Sequence, residues 1–252
     1  MSFSGSFNRR ATGAPRPSSR RWRRLRTVLL ALALTAVALA AIATAYVIHL
    51  PGVGDAEARV DAILARHGGT ASTLPPPRRL GEAIVSTEDE NFYDDVFLNV
   101  ASGAGRAAVA AIGTGEDPGG STIPQQLAKN LYPHGGGLVG TLEEIGLGVK
   151  LSLAYSHERV LSMYLDSIYY GNGYWGDVAA AHGYFGVSPR RLTWGEAAML
   201  AGLPQAPSEY DPLLHFNLAR LRQRHVLDQL VVNGHLTAAA ADAAYAETLP
   251  LK

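Results

Sequence analysis

The longest apolar run in the chain, Thr27 to Ile48, contains no charged residue. As a helix its residues would rise about 33 Å, enough to cross a hydrocarbon layer of about 30 Å. Beyond it the pattern changes to short amphipathic segments. From Asp55 to His67 the apolar residues Ala58, Val60, Ile63 and Leu64 recur at helical spacing, and Gly68-Gly69 ends the segment. Pro75-Pro76-Pro77 marks a linker, and Ala83, Ile84 and Val85 form a short apolar run leading to Glu88-Asp89. Val160, Leu161, Tyr164, Leu165 and Ile168 make one helical stripe. The run from Leu218 onward predicts one more amphipathic helix, ending at Asn233-Gly234.

Between these segments lies a stretch with a clear helix start, Gly119 to Leu131 (GGSTIPQQLAKNL). Thr122 can cap the helix and Gln125 can complete a capping box, while Pro124 suits the first turn because its missing N–H would have had no partner. The helix is therefore expected to begin near Ile123. Its unpaired N–H groups and the positive end of its dipole suit a phosphate-like anion. Gln125 and Lys129, like Gln126 and Asn130, lie four apart and project along neighbouring strips. Spacing alone fits an ordinary amphipathic helix with a solvated polar side as well as a pyrophosphate seat. Glycine-rich loops are expected on either side, at 113–120 and 134–140. In the next segment Gly146 and Gly148 each cost a helix about 1 kcal/mol relative to alanine. That segment is expected to be irregular or to lie close against something, with Leu147 and Leu151 on an amphipathic face.

The zero net charge hides an asymmetry. Residues 1–26 carry eight arginines and no acid, whereas the chain after the apolar run has fourteen basic and twenty-two acidic side chains, a formal charge of −8. The arginine cluster before the apolar run predicts a cytoplasmic N-terminus and an exported remainder. Ala43-Thr44-Ala45 resembles a cleavage site, but the run exceeds the usual ~7–15 residue signal core, so a retained anchor is the favoured reading. The basic tail is accounted for by topology and anionic lipid, and no nucleic-acid role is assigned to it. With no cysteine, disulfides and thiolate metal sites are excluded. His182, His215 and His225 lack metal-ligand spacing, and there is neither a G-x-S-x-G elbow nor a P-loop.

GGSTIPQQLAKNL resembles the central signature of the peptidoglycan glycosyltransferases, the transglycosylase domains of bifunctional penicillin-binding proteins and their monofunctional relatives. Glu88, Asp89 and Phe92 match the first, second and fifth positions of that family's first signature, and Arg106-Ala107 resembles the Arg-Ala that follows. SIYYGNGYWGDVAAAHGYFG and LTWGEAAMLAGLPQAPSEYDP resemble its fourth and fifth conserved stretches, and their small residues and aromatics are expected to serve packing. Five positions depart from the pattern. Asp95 and Phe97 replace a histidine and a glycine, Gly140 and Thr141 replace a basic pair, and Asp166 replaces an asparagine. The third signature's glutamate falls on Glu144, with Glu143 as the fallback.

The resemblance spans roughly residues 76–245 and implies a mainly α fold: a lysozyme-like transglycosylase head with a small membrane-apposed jaw, preceded by one transmembrane helix. The implied organisation is a disordered cytoplasmic tail (1–26), a transmembrane helix (27–49), a linker with a membrane-proximal helix (50–75) and a glycosyltransferase domain (76–252). The chain is expected to be monofunctional, without room for a transpeptidase domain.

Glu88 would be the catalytic base, and Glu144, the second catalytic carboxylate, would organise the acceptor side or a divalent ion near the pyrophosphate. Asp89, Phe92, Arg106, Ser121, Thr122, Gln125, Gln126, Lys129 and Asn130 would bind substrate. The expected partners are lipid II, the growing lipid-linked glycan, the membrane, and cell-division or elongation proteins. A divalent cation such as magnesium or manganese at the pyrophosphate is expected, with no organic cofactor. The implied location is the cytoplasmic membrane, single-pass, with the catalytic domain outside. A non-catalytic relative that binds lipid II or cell-wall synthesis partners is the alternative, and a glycan-cleaving enzyme on the same fold is a third reading.

Overall fold

The computed structural model describes residues 19–72, 74–93 and 121–252. Among them the secondary structure is helical apart from one isolated antiparallel bridge, Tyr169 to Trp175. This is the mainly α fold that the hydrophobic pattern predicts. Arg106, Asp95, Phe97, the loop expected at 113–120 and the first 18 residues of the basic tail lie outside the described residues.

Contacts divide the chain into two compact units, residues 1–46 and 47–252. The described part of the first is helix α1 (Ser19–His49), which runs on a few residues into the second. Within α1, Trp22–His49 is long and apolar enough to cross a membrane. The helix starts in the arginine cluster rather than at Thr27, since arginine is a good helix former and nothing there breaks the ladder.

In the second unit the helices are α2 (Ala56–His67), α3 (Arg78–Glu88), α4 (Ile123–Leu131), α5 (Gly137–Ala154), α6 (His157–Ser167), α7 (Asp177–Phe185), α8 (Trp194–Ala201), α9 (Phe216–Val232) and α10 (Ala238–Ala246), with a 3₁₀ turn at Pro189–Arg191. Helix α4 packs on α5 and α6, and α3, α8 and α9 pack on one another. Leu80, Ile84, Leu127, Leu161, Leu165, Leu200 and Val226 are fully buried between them. Each such side chain contributes about 1.5–3 kcal/mol.

Within residues 50–75 the membrane-proximal helix is present as α2, and it packs into the second unit. Val53, Ala56, Val60, Ile63 and Leu64 are buried in the second unit's core. Asp55 accepts from the Tyr132 hydroxyl at 3.0 Å, and Arg59 donates to the carbonyl of Leu131, fastening α2 to the end of α4. The boundary expected at residue 76 therefore falls inside a packed body. α5 is also a correction: it is a continuous helix that begins at Gly137, so the glycine loop before it is shorter than expected. Its glycines mark close approach instead of irregularity. A Cβ on Gly148 would lie 3.0–3.2 Å from Cγ, N and Cα of Gln125. Any other residue would push Gln125 back by a few tenths of an ångström, so glycine eases the close crossing of α4 and α5, and that crossing brings Glu144 of α5 to the polar side of α4.

Candidate active site

Glu88 is the last residue of α3, where the helix ends and the chain turns. Its side chain is 14% exposed and both carboxylate oxygens are engaged. Oε2 accepts from the Gln126 side-chain amide at 3.0 Å, and Oε1 lies 3.5 Å from the Arg222 guanidinium. Beside it opens a cleft of about 630 Å³, lined by Thr87, Glu88, Ser121, Gln126, Lys129, Asn130, Glu144, Pro204, Gln205 and Arg222. Three faces of the second unit meet there: the end of α3, the polar side of α4 with α5, and the α8–α9 connection with α9.

The polar strip of α4 supplies the floor. Gln126 also donates to the Ser121 carbonyl at 3.3 Å, and Asn130 donates to the Ser167 hydroxyl at 3.4 Å. Lys129 is exposed, and among the described residues no carboxylate pairs with its ammonium. A solvent-facing ammonium beside oriented amides is suited to an anion. On the far wall Glu144 lies 3.3 Å from the His134 ring, whereas the adjacent Glu143 turns away and accepts from the Gly135 N–H at 2.6 Å. Of these two acids, Glu144 lines the cleft.

Four residues expected to bind substrate do not line this cleft, and their burial gives the reason. Phe92 is fully buried, edge-on to Tyr93 and His157. Asp89, Thr122 and Gln125 are buried around the start of α4, where Asp89 accepts from the Ile123 N–H at 3.0 Å and Gln125 accepts from the Thr122 N–H at 3.4 Å. These groups hold the helix start, occupying N–H groups that an anion would otherwise use. The polar groups left open to the cleft are therefore on the side of α4 and not at its tip. Glu88, Glu144, Ser121, Gln126, Lys129 and Asn130 are brought together.

Arg222 was missed. It falls within the buried stripe of α9 formed by Ala219, Gln223, Val226, Leu227 and Leu230. A charge on an apolar stripe was the available signal, because such a side chain must find a partner inside. Gly140, where the family pattern has a basic residue, is fixed by sterics here: a Cβ would lie 2.0 Å from the Gly135 carbonyl oxygen. Among the described residues no three His, Cys, Asp or Glu side chains cluster to chelate an ion. Magnesium is often held by one or two carboxylates plus substrate phosphates, and Glu144 fits that mode.

In this helical body a carboxylate faces an ammonium and side-chain amides across one cleft, and comparison with known proteins gives the family. The Transglycosylase family model matches residues 63–231, and this chain belongs to that family. It is 37% identical over 177 residues to penicillin-binding protein 1F of Bacillus subtilis, covering 69% of this chain and 25% of that protein. It is 37% identical over 175 residues to penicillin-binding protein 1A of Neisseria flavescens, covering 69% and 22%. The crystal structure of penicillin-binding protein 1A from Haemophilus influenzae aligns with a TM-score of 0.45 at 22% identity, covering 73% of this chain and 18% of that one. The chain thus spans about a quarter of the length of these curated relatives.

Proposed function

We propose that this protein polymerises peptidoglycan glycan strands from lipid II. The observation that carries the reading is the grip on Glu88: a carboxylate held at both oxygens, at the edge of a cleft whose floor presents Lys129. Glu88 takes the proton from the acceptor 4-hydroxyl as that oxygen attacks the anomeric carbon of the lipid-linked donor. The bond from that carbon to the pyrophosphate oxygen breaks, configuration inverts, and undecaprenyl pyrophosphate leaves with the electron pair. General-base catalysis of this kind contributes ~10²–10⁴-fold. Lys129, with the Asn130 amide beside it, stabilises the charge growing on the departing pyrophosphate. Glu144 would hold a divalent cation against that group, and the cation would neutralise part of its charge.

The apolar span and its arginine flank support a single-pass anchor with the N-terminus in the cytoplasm and the cleft outside. Anchoring keeps the enzyme on the surface that carries both lipid-linked substrates, raising their effective concentration.

The test is incubation of the purified full chain with labelled lipid II in vesicles. Long glycan with released undecaprenyl pyrophosphate is the expected result. Lipid II binding without turnover would instead support the non-catalytic reading, which Gly140 and Thr141 motivate. Shortening of preformed glycan would support a cleaving enzyme.

A further inference from the structure

We propose that Tyr164 is a positioning residue, whose phenol fixes the Gln126 side-chain amide with its NH₂ group toward Glu88; this rests on the reading of Glu88 as the base. Tyr164 lies on α6, beneath the cleft, and is 1% exposed. Its hydroxyl donates to Gln126 Oε1 at 2.5 Å, while Gln126 Nε2 donates to Glu88 at 3.0 Å and to the Ser121 carbonyl at 3.3 Å.

The donors and acceptors permit one arrangement. An ionised carboxylate and a peptide carbonyl only accept, so the amide end facing them must be NH₂. The oxygen end then faces Tyr164, which must donate. Burial holds the phenol in its protonated form, and the negative charges of Glu88 and Asp89 act in the same direction. The terminal torsion of glutamine is soft, so the amide needs a partner at each end to stay in one orientation.

The lock matters most during turnover. Once Glu88 has taken the acceptor's proton it can donate, and its preference for the NH₂ end lapses. Tyr164 and Ser121 then keep the amide set for the next ionised state. The same turn of α6 serves the rest of the floor, since the Tyr164 carbonyl accepts from Ser167, whose hydroxyl accepts from Asn130.

The experiment is a double-mutant cycle on the full chain in vesicles, with kcat and KM for lipid II measured for Tyr164→Phe, Gln126→Leu and the pair. Tyr164→Phe is expected to lower kcat about fivefold to tenfold with KM within about twofold. Gln126→Leu should lose more, and the pair should lose no more than Gln126→Leu alone. A wild-type rate for Tyr164→Phe, an effect confined to KM, or losses that multiply would each overturn the proposal. If Tyr164→Phe melts far below the wild type, the nitrogen-15 signal of the Gln126 side-chain amide in the wild type decides. The lock gives one sharp pair of protons protected from solvent exchange, and exchange as fast as free glutamine defeats it. Glu88→Gln assayed alongside separates the two ideas. If that variant is active, the base assignment fails; if it is inactive while the cycle is multiplicative, only the role of Tyr164 fails.

Discussion

Two pairs of acidic side chains sit in this molecule under opposite conditions. Glu88 and Glu144 line an open cleft and face nitrogen-bearing side chains, Arg222 and Gln126 on one side and the His134 ring on the other. Asp166 and Asp177 are buried and share Ser72, whose N–H donates to Asp166 at 2.8 Å and whose hydroxyl donates to Asp177 at 2.6 Å. Among the described residues, the second carboxyl oxygen of Asp177 has no hydrogen-bond partner. Burial raises Asp166 to about 7, with the charge of Asp177 adding and the Ser72 hydrogen bond and Arg159 opposing. Burial likewise raises Asp177 to about 6, against the Ser72 hydrogen bond and Arg190. The contrast separates acids that line the cleft from acids held in the core. A perturbed titration is not enough to mark an active site, since the strongly shifted carboxyls here lie away from the cleft.

The comparison is broken most directly at Glu88. Glu88→Gln is expected to cut glycan synthesis ~10²–10⁴-fold with an unchanged melting temperature, read by the lipid II assay and thermal unfolding. A wild-type rate would remove the cleft pair from the chemistry. Next in size is Arg222→Ala, expected to lower kcat by about tenfold or more, because a charge-assisted contact contributes about 1.5–3 kcal/mol. An effect on folding alone would make Arg222 structural.

The buried pair is expected to answer to pH instead. Both folded values lie above the ordinary aspartate value, so its stabilising contribution is complete below about pH 4 and is lost as pH rises through 6 and 7. The melting temperature should fall by about 5 °C or more over that window. The variant carrying Asp166→Asn and Asp177→Asn should flatten the profile, and an unchanged slope would refute the assignment. Smallest is Ser72→Ala, expected to lower the melting temperature by about 2–4 °C without altering glycan synthesis. A rate change there would erase the distinction between the two regions.

The parts of this architecture that were legible in the sequence were those written in local chemistry. Thr122 and Pro124 announced the start of α4, and the stripe from Val160 to Ile168 announced α6, because caps and periodicity act over a few residues. What stayed hidden depends on which element lies alongside. Gly148 marks irregularity or a close approach, and which element comes close, Gln125 of α4, is not written nearby in the sequence. Tyr164 reads as one more core residue, and nothing nearby in sequence says that its hydroxyl meets Gln126. Asp89, Thr122 and Gln125 carry the polar chemistry of a binding site, yet they are spent on the helix end. Arg222 was the one hidden group with a visible mark, an arginine on an otherwise apolar face.

Positions 88 and 89 divide their work in opposite directions. The first points its carboxylate into the cleft, while the second reaches inward to the first turn of the helix that carries Lys129. A single dipeptide therefore sets the gap between the Glu88 carboxylate and the Lys129 ammonium. Lengthening the inner arm by one methylene, as Asp89→Glu would, retunes that spacing without adding or removing any atom that lines the cleft.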